Sequence, residues 1–191
     1  MATNNALNVS AAKPKIGGAI SRAPLGTTLP ETATEALASA FKQLGYVSED
    51  GLTNSNTFDS TDVASWDGDV VLTTESNKRD TFMYKLLEVL NVDVLKSVYG
   101  DDNVEGDLDT GITVRANAQP QQEYAWVIDM VMKNGVLKRI VIPQAKVSSV
   151  ADIVYKNNEA VGYETTISAA PYAEYDGDTH REFIIKGSAS L

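Results

Sequence analysis

The densest collection of possible metal ligands lies in residues 99–114, YGDDNVEGDLDTGITV. Calcium needs about six to eight oxygen ligands, and helix–loop–helix sites supply them from a loop that ends on a bidentate carboxylate. Asp101, Asn103 and Glu105 fall on the first, third and fifth positions of such a loop, and Gly106 falls on its obligatory turn. The closing position is Ile112, whose side chain carries no oxygen. Ile112-Thr113-Val114-Arg115 is also β-branched and alternating, so a strand is predicted where the motif needs a helix. The stretch is read as an acidic turn without a metal.

Other chemistry is equally short of parts. Nucleophilic catalysis needs a base beside the nucleophile. The single histidine, His180, stands in DGDTHREF beside Arg181 and Glu182, a polar setting that reads as surface. There is no cysteine, which removes disulfides, thiolate metal sites and cysteine nucleophiles together. No GxSxG, P-loop or HExxH pattern occurs, and Gly17-Gly18 and Gly26-Thr27-Thr28 lack a strand-to-helix phosphate fingerprint. The carboxylates fall mostly in turns, where solvation is their ordinary state. No catalytic residue, cofactor or metal ligand is expected.

The formal charge of −10 repels nucleic acid and anionic lipid alike. The densest basic cluster is Lys13, Lys15 and Arg22, near the amino end. No apolar run approaches the roughly 20 residues that span a bilayer. The opening MATNNALNVSAAKPKIGG lacks the basic and apolar regions of a signal peptide and reads as a polar arm.

The elements that would position these residues are mostly strands. Residues 1–15 are an arm and 16–23, IGGAISRA, a short strand. A helix is predicted over TATEALASAFKQLG: Thr32 and Glu35 form a capping box, Leu37, Ala40, Phe41 and Leu44 share a face, and Gly45 stops it. Residues 48–69 form a long polar loop, part of which can pair as a hairpin arm. Trp66 near its end either folds back onto the core or awaits a partner. A strand at 70–74, a turn at Ser76-Asn77-Lys78 and a strand at 81–89 follow. A short helix comes next, with Asn91 as N-cap, Asp93 in the first turn, Val92, Leu95 and Val98 on one side and Gly100 at its end.

ITVRAN reads as a strand, and YAWVIDMVM as another, with Tyr124, Trp126, Ile128, Met130 and Met132 on one face. It turns at Asn134-Gly135 into LKRIVIP. A hairpin over 151–169 turns at Asn157-Asn158, with Val161, Tyr163, Thr165 and Ile167 alternating on its second strand. REFIIK closes the core, and 187–191 is a short tail. The fold class is mainly β: an antiparallel β-sandwich or flattened barrel with one or two short flanking α-helices.

The unit TFMYKLLEVLNVDVLKSVYG, residues 81–100, resembles the middle of the major tail proteins, or tail tube proteins, of bacteriophages with long non-contractile tails. The resemblance extends in order through NVSAAKPKIGGAI, LGYVSEDGLTNSN and GYETTISAAP. It implies a tail-tube β-sandwich over 16–186 that closes into hexameric rings, which stack into the conduit for DNA ejection, without catalytic residues. Some members append an immunoglobulin-like domain, which a chain ending at Leu191 is expected to lack. The implied partners are further copies of the chain, the tape measure protein inside the tube, the terminator and distal tail proteins at its ends, and DNA in passage, with no membrane. The implied location is the virion tail, assembled in the host bacterial cytoplasm.

On this reading the 1–15 arm and the 48–69 loop order upon docking. The candidate interface residues are Lys13, Lys15, Asp50, Asn54, Asn56, Trp66 and Asp67. Six copies would bring roughly −60 of formal charge to a ring, and the candidates for the lumen are Glu88, Asp129 and Glu164. Alternative readings are another ring-forming tail component, such as a terminator or distal tail protein, a carbohydrate-binding sandwich using Trp66, Tyr172 and Tyr175, or an acid–base hydrolase.

Overall fold

The computed structural model describes residues 4–15 and 18–187. Its strands are β1 (Ala12–Pro14), β2 (Ile20–Pro24), β3 (Lys42–Gln43), β4 (Val47–Ala64), β5 (Val70–Leu86), β6 (Val104–Glu105), β7 (Thr113–Val114), β8 (Glu123–Met132), β9 (Val136–Val150), β10 (Tyr163–Ala169) and β11 (Arg181–Lys186). One α-helix, α1 (Val92–Tyr99), joins them.

All pairings are antiparallel, and the main sheet runs β3-β2-β8-β9-β10-β5-β4, with β1 also on β8 and β11 also on β9. β9 is the strand that makes a sandwich of it. Its first half pairs with β11 from Val136 to Val141, and its second half pairs with β10 from Ala145 to Val150. Pro143 sits between these halves, where the register with β8 shifts between Tyr124 and Trp126. Proline has no N–H to give a ladder, so a bulge is one of the few strand positions that accept it. Among the described residues no closed barrel forms, and the arrangement is of the β-sandwich kind.

The main core gathers Trp126 and Ile128 of β8, Ile140 and Ile142 of β9, Phe82, Tyr84 and Leu86 of β5, and Ile167 of β10, closed by Val94, Leu95 and Val98 of α1. Each such side chain contributes roughly 1.5–3 kcal/mol on burial. The helix is built as its sequence predicts. Asn91 accepts a hydrogen bond from the Asp93 N–H at 3.0 Å, and Gly100, at φ 96°, donates its own N–H to the Lys96 carbonyl.

Several expectations are corrected. No helix forms over 32–45, although half of its capping box does: the Glu35 N–H donates to Thr32 Oγ1 at 3.1 Å, while Glu35 Oε2 accepts at 2.8 Å from the N–H of Glu31 rather than that of Thr32. A buried guanidinium competes for the backbone. Arg139 Nη1 donates to the carbonyls of Thr32 and Glu35 at 3.0 and 2.7 Å, acceptors that a helix would assign to N–H groups four residues on. Three of the four residues expected on one face, Leu37, Ala40 and Phe41, stay together without the helix, whereas Leu44 enters the main core. Phe41, with Leu29, Leu37, Ala38 and Ala40, covers the second face of the sheet in a core with Ala23, Ala125, Val127 and Val141.

Residues 48–69 are not a structureless loop; nearly all of them belong to β4 and its turn. Ser76-Asn77-Lys78 is not a chain-reversing turn either. β5 runs straight through it, and Asn77, at φ 52°, sits where the register slips between Thr57 and Asp59. A turn signal and a bulge signal are alike because both need a residue that tolerates φ > 0. The first arm of the 151–169 hairpin is irregular, and strand pairing begins at Tyr163. ITVRAN shortens to Thr113–Val114. The strand predicted at 16–23 is observed as Ile20–Pro24; Ile16 and Gly17 lie outside the described residues, as do 1–3 and 188–191 of the arm and tail.

Candidate functional site

The feature that leaves the body is the β4–β5 ribbon. β10 pairs with β5 from Asp80 to Leu86 and no further. Beyond that point only β4 and β5 remain, paired to Ala64↔Val70 and closed by the turn at residues 65–69. From Thr53 to Arg79 every residue except Ser65 is exposed. The exposed set includes Phe58, Val63, Val70, Val71 and Leu72, and Trp66 at the tip is fully exposed. Two strands alone are marginally stable in water, and clustered exposed apolar side chains mark a contact surface.

The root of the ribbon is clamped by a carboxylate. Asp80 is fully buried and accepts from Asn54 Nδ2 at 2.8 Å, Thr179 Oγ1 at 2.6 Å and His180 Nδ1 at 2.5 Å. Burial works to raise its pKa, but the hydrogen bonds from His180, Thr179 and Asn54 outweigh it and hold the carboxyl below its ordinary value. His180 is therefore not a surface residue, as its polar neighbours suggest. Its ring packs edge-on to Phe82, with centroids 5.3 Å apart. Thr179 and His180 both turn to the same carboxylate, so the hydroxyl does not donate to the imidazole as a nucleophile–base pair requires.

The expected interface residues divide between the ribbon and the arm. Trp66 and Asp67 occupy the tip, where Asp67 accepts from the Ser65 hydroxyl, and that bond holds its carboxyl below the usual range. Asn56 is exposed on the ribbon. Asn54 is engaged with Asp80 and with the Thr81 carbonyl at 3.1 Å. Asp50 accepts from Ser48 Oγ at the root. Lys13 lies exposed on β1, opposite Val131 of β8. Lys15 reaches Asp129 at 3.5 Å. Arg22, grouped with these lysines by sequence, is instead buried; it pairs with Asp101 and lies 4.3 Å from the Tyr124 ring centroid.

The three acids proposed for a lumen have separate settings. Asp129 receives a two-pronged contact from the buried Arg139, Nε to Oδ1 at 2.6 Å and Nη2 to Oδ2 at 2.9 Å. Glu88 accepts from the Tyr46 N–H at 3.0 Å and Asn91 Nδ2 at 2.9 Å, binding the ribbon root to the helix N-cap. Its carboxyl lies against Gly45, where a Cβ would collide with it, and Gly45 holds φ 69°. Only Glu164 is exposed, across from Lys85 on a face that also carries Thr166 and Met83.

The acidic turn spends its charges locally. Asp101 pairs with Arg22, and Glu105 with Arg115 at 2.7 Å. Asp107 Oδ1 accepts from the N–H groups of Asp109 and Thr110 and from the Thr110 hydroxyl, and these bonds hold its carboxyl low. No group of three or more possible ligand side chains gathers to hold a metal among the described residues. Sequence reasoning missed Asp80 and Arg139, whose roles depend on partners 100 and 107 residues away. It also assigned Val70, Val71 and Leu72 to a strand without seeing that they face solvent; their setting beside a polar span was the available signal.

A family model described as phage tail tube protein matches residues 1–187. The chain belongs to that family. A search of curated proteins finds no significant match. A tail tube protein is a structural component of the virion tail, in a family that is not one of enzymes, and membership implies assembly into a tube with other tail parts. Among the described residues no helix is long and apolar enough to cross a membrane.

Proposed function

We propose that the chain closes into hexameric rings, that the rings stack into the tail tube, and that DNA leaves through the bore during ejection. One observation carries this reading: a two-stranded ribbon with exposed valine, leucine and tryptophan side chains, held out from a fully formed core. Such a surface has a reason to exist only if something covers it. The outer edge of β4 has no partner strand among the described residues, and closing a ring is one way to remove an edge. The arm and the ribbon are the assembly elements. The tape measure protein occupies the bore before DNA, and terminator and distal tail proteins cap the ends.

Glu164 is the lumen candidate whose carboxylate is free to face a bore, and its neighbours Lys85 and Thr166 make that face mixed rather than uniformly acidic. A carboxylate engaged with Arg139 or with a helix cap offers less charge to passing phosphates, which ranks Asp129 and Glu88 below it. Negative-stain microscopy of concentrated protein tests the proposal: six-fold rings and hollow filaments are expected. A strictly monodisperse monomer at high concentration overturns it. Removing residues 1–15 should leave a folded monomer by circular dichroism and abolish filaments; normal filaments would overturn the role of the arm.

A further inference from the structure

Asn134 is the only asparagine in the sequence that precedes a glycine. At such a pair the backbone nitrogen of Gly135 can attack the side-chain Cγ of Asn134, because the following residue has no Cβ to stand in the way. The new N–Cγ bond closes a five-membered imide. The Cγ–Nδ2 bond breaks, and the amide group leaves as ammonia with the proton that the Gly135 nitrogen gives up. Water then opens the imide at either carbonyl. Attack at Cγ yields aspartate. Attack at the backbone carbonyl carbon breaks the original peptide bond and yields isoaspartate, in which the main chain runs through Cβ and Cγ.

Lys133, Asn134 and Gly135 are exposed, so water and base reach the turn between β8 and β9. The folded turn nevertheless holds the reacting atoms apart. Asn134 is left-handed at φ 61° and ψ 26°, and Gly135 follows at φ 72°. A small positive ψ sets the Gly135 nitrogen on the opposite side of the Cα–C bond from Cβ. The ring closes only after rotation about that bond, and the rotation breaks the turn. Two segments distant in sequence resist it. On one flank the Lys133 N–H donates to Ser10 Oγ at 2.8 Å, and the arm continues into β1 with Ala12 opposite Met132. On the other flank the Gly187 N–H donates to the Gly135 carbonyl at 3.1 Å, just past the last β11 pair, Lys186 opposite Val136. A Cβ on Gly187 would collide with that carbonyl oxygen, so the approach leaves room for glycine alone.

We infer that Asn134 is a site of spontaneous deamidation, and that the arm at Ser10 and the end of β11 at Gly187 set its rate by holding the turn closed. A reaction that needs a rare open state runs in proportion to the population of that state when opening and closing are fast. Releasing either contact raises the population. Isoaspartate also lengthens the main chain in a turn whose length fixes the β8–β9 register. The modified turn does not regain its seat against Ser10 and Gly187, so each event leaves the arm less well held.

The test incubates the wild-type chain, Gly187→Ala and Ser10→Ala at mildly alkaline pH and follows the peptide containing Asn134 by mass spectrometry. Asp50, Asp67 and Asp176 also precede glycine, but an ionised carboxylate is a poor electrophile, so these conditions favour the amide. Gly187→Ala should speed loss of the Asn134 amide about tenfold, and Ser10→Ala a few-fold. Asn157, in the irregular segment before β10, is the internal reference and should react at one rate in all three proteins. In denaturant the three should lose the Asn134 amide at a common rate, faster than the folded wild type. A folded wild type that reacts as fast as the denatured chain overturns the protection. Variants that match the wild type overturn the role of the two contacts. An Asn134 left intact in both folded variants, after the denatured chain has lost its amide, overturns the site. Should Gly187→Ala fail to fold, Ser10→Ala keeps the test, because Ser10 is exposed.

Discussion

Between Asp80 and Leu86, strand β5 buries Asp80, Phe82, Tyr84 and Leu86 on one side. Between Val70 and Arg79 the same strand buries nothing. The residue types do not explain the change, because Val70, Val71 and Leu72 are as apolar as the residues that are buried. The difference is the surroundings of residues 80–86: there β10 pairs with β5, and Phe82, Tyr84 and Leu86 join the core formed with β8, β9 and α1. One strand thus serves as core wall and as projecting arm, and the boundary is marked by a buried carboxylate that three donors satisfy. A ribbon that must engage a partner needs a fixed root, since a loosely hinged arm would lose more entropy on docking.

The comparison can be broken most strongly in the core. Phe82→Ala should cost about 3–5 kcal/mol in denaturant unfolding, while Leu72→Ala, ten residues earlier on the same strand, should change it by less than about 0.5 kcal/mol. Equal costs would mean that the outer ribbon packs on the body. Asp129→Ala should be of similar size to Phe82→Ala, about 3–5 kcal/mol, because it leaves the Arg139 guanidinium buried without its anion.

Asp80→Asn sharpens the boundary itself and should cost about 1–3 kcal/mol at neutral pH. The carboxyl is held below its unfolded pKa, so its contribution is full above the unfolded value of about 3.9 and declines as pH falls through that value toward the folded one. Stability measured from pH 6 down to pH 2 should fall more steeply in wild type than in Asp80→Asn. Parallel profiles would show that the three donors do not favour the ionised form.

Hydrogen exchange of the monomer gives a smaller and more local contrast. Amides of Phe82 to Leu86 should be protected to near the global stability, and those of 58–75 should exchange through local opening. The smallest effect belongs to the acidic turn: EDTA should leave the melting temperature unchanged, and a rise on adding calcium would contradict the pairing of Asp101 with Arg22.

Local rules were enough for the parts whose partners lie close in sequence. The Asn91 cap, the Gly100 stop, the alternation of Tyr163, Thr165 and Ile167, and the reversal at Asn134-Gly135 all appear where the residues predict them. Two of the failures share a cause, a partner far away in sequence. Thr32 to Gly45 satisfied the helix rules and lost to Arg139, whose place beneath that segment depends on the β8–β9 pairing. His180 looked exposed because its sequence neighbours are charged, yet Asp80 and Phe82 approach it from another strand.

The amino-acid sequence alone determined that this is a mainly β protein with a net charge of −10 and one short capped helix. Those properties follow from composition, period-two alternation and contacts within a few residues. Only the tertiary structure decided that the polar span at 48–69 is a strand, that β5 divides into a buried and an exposed half, and that Trp66 stands clear of the body. Exposure is a property of what lies across from a residue, and what lies across is set by strand partners many tens of residues away.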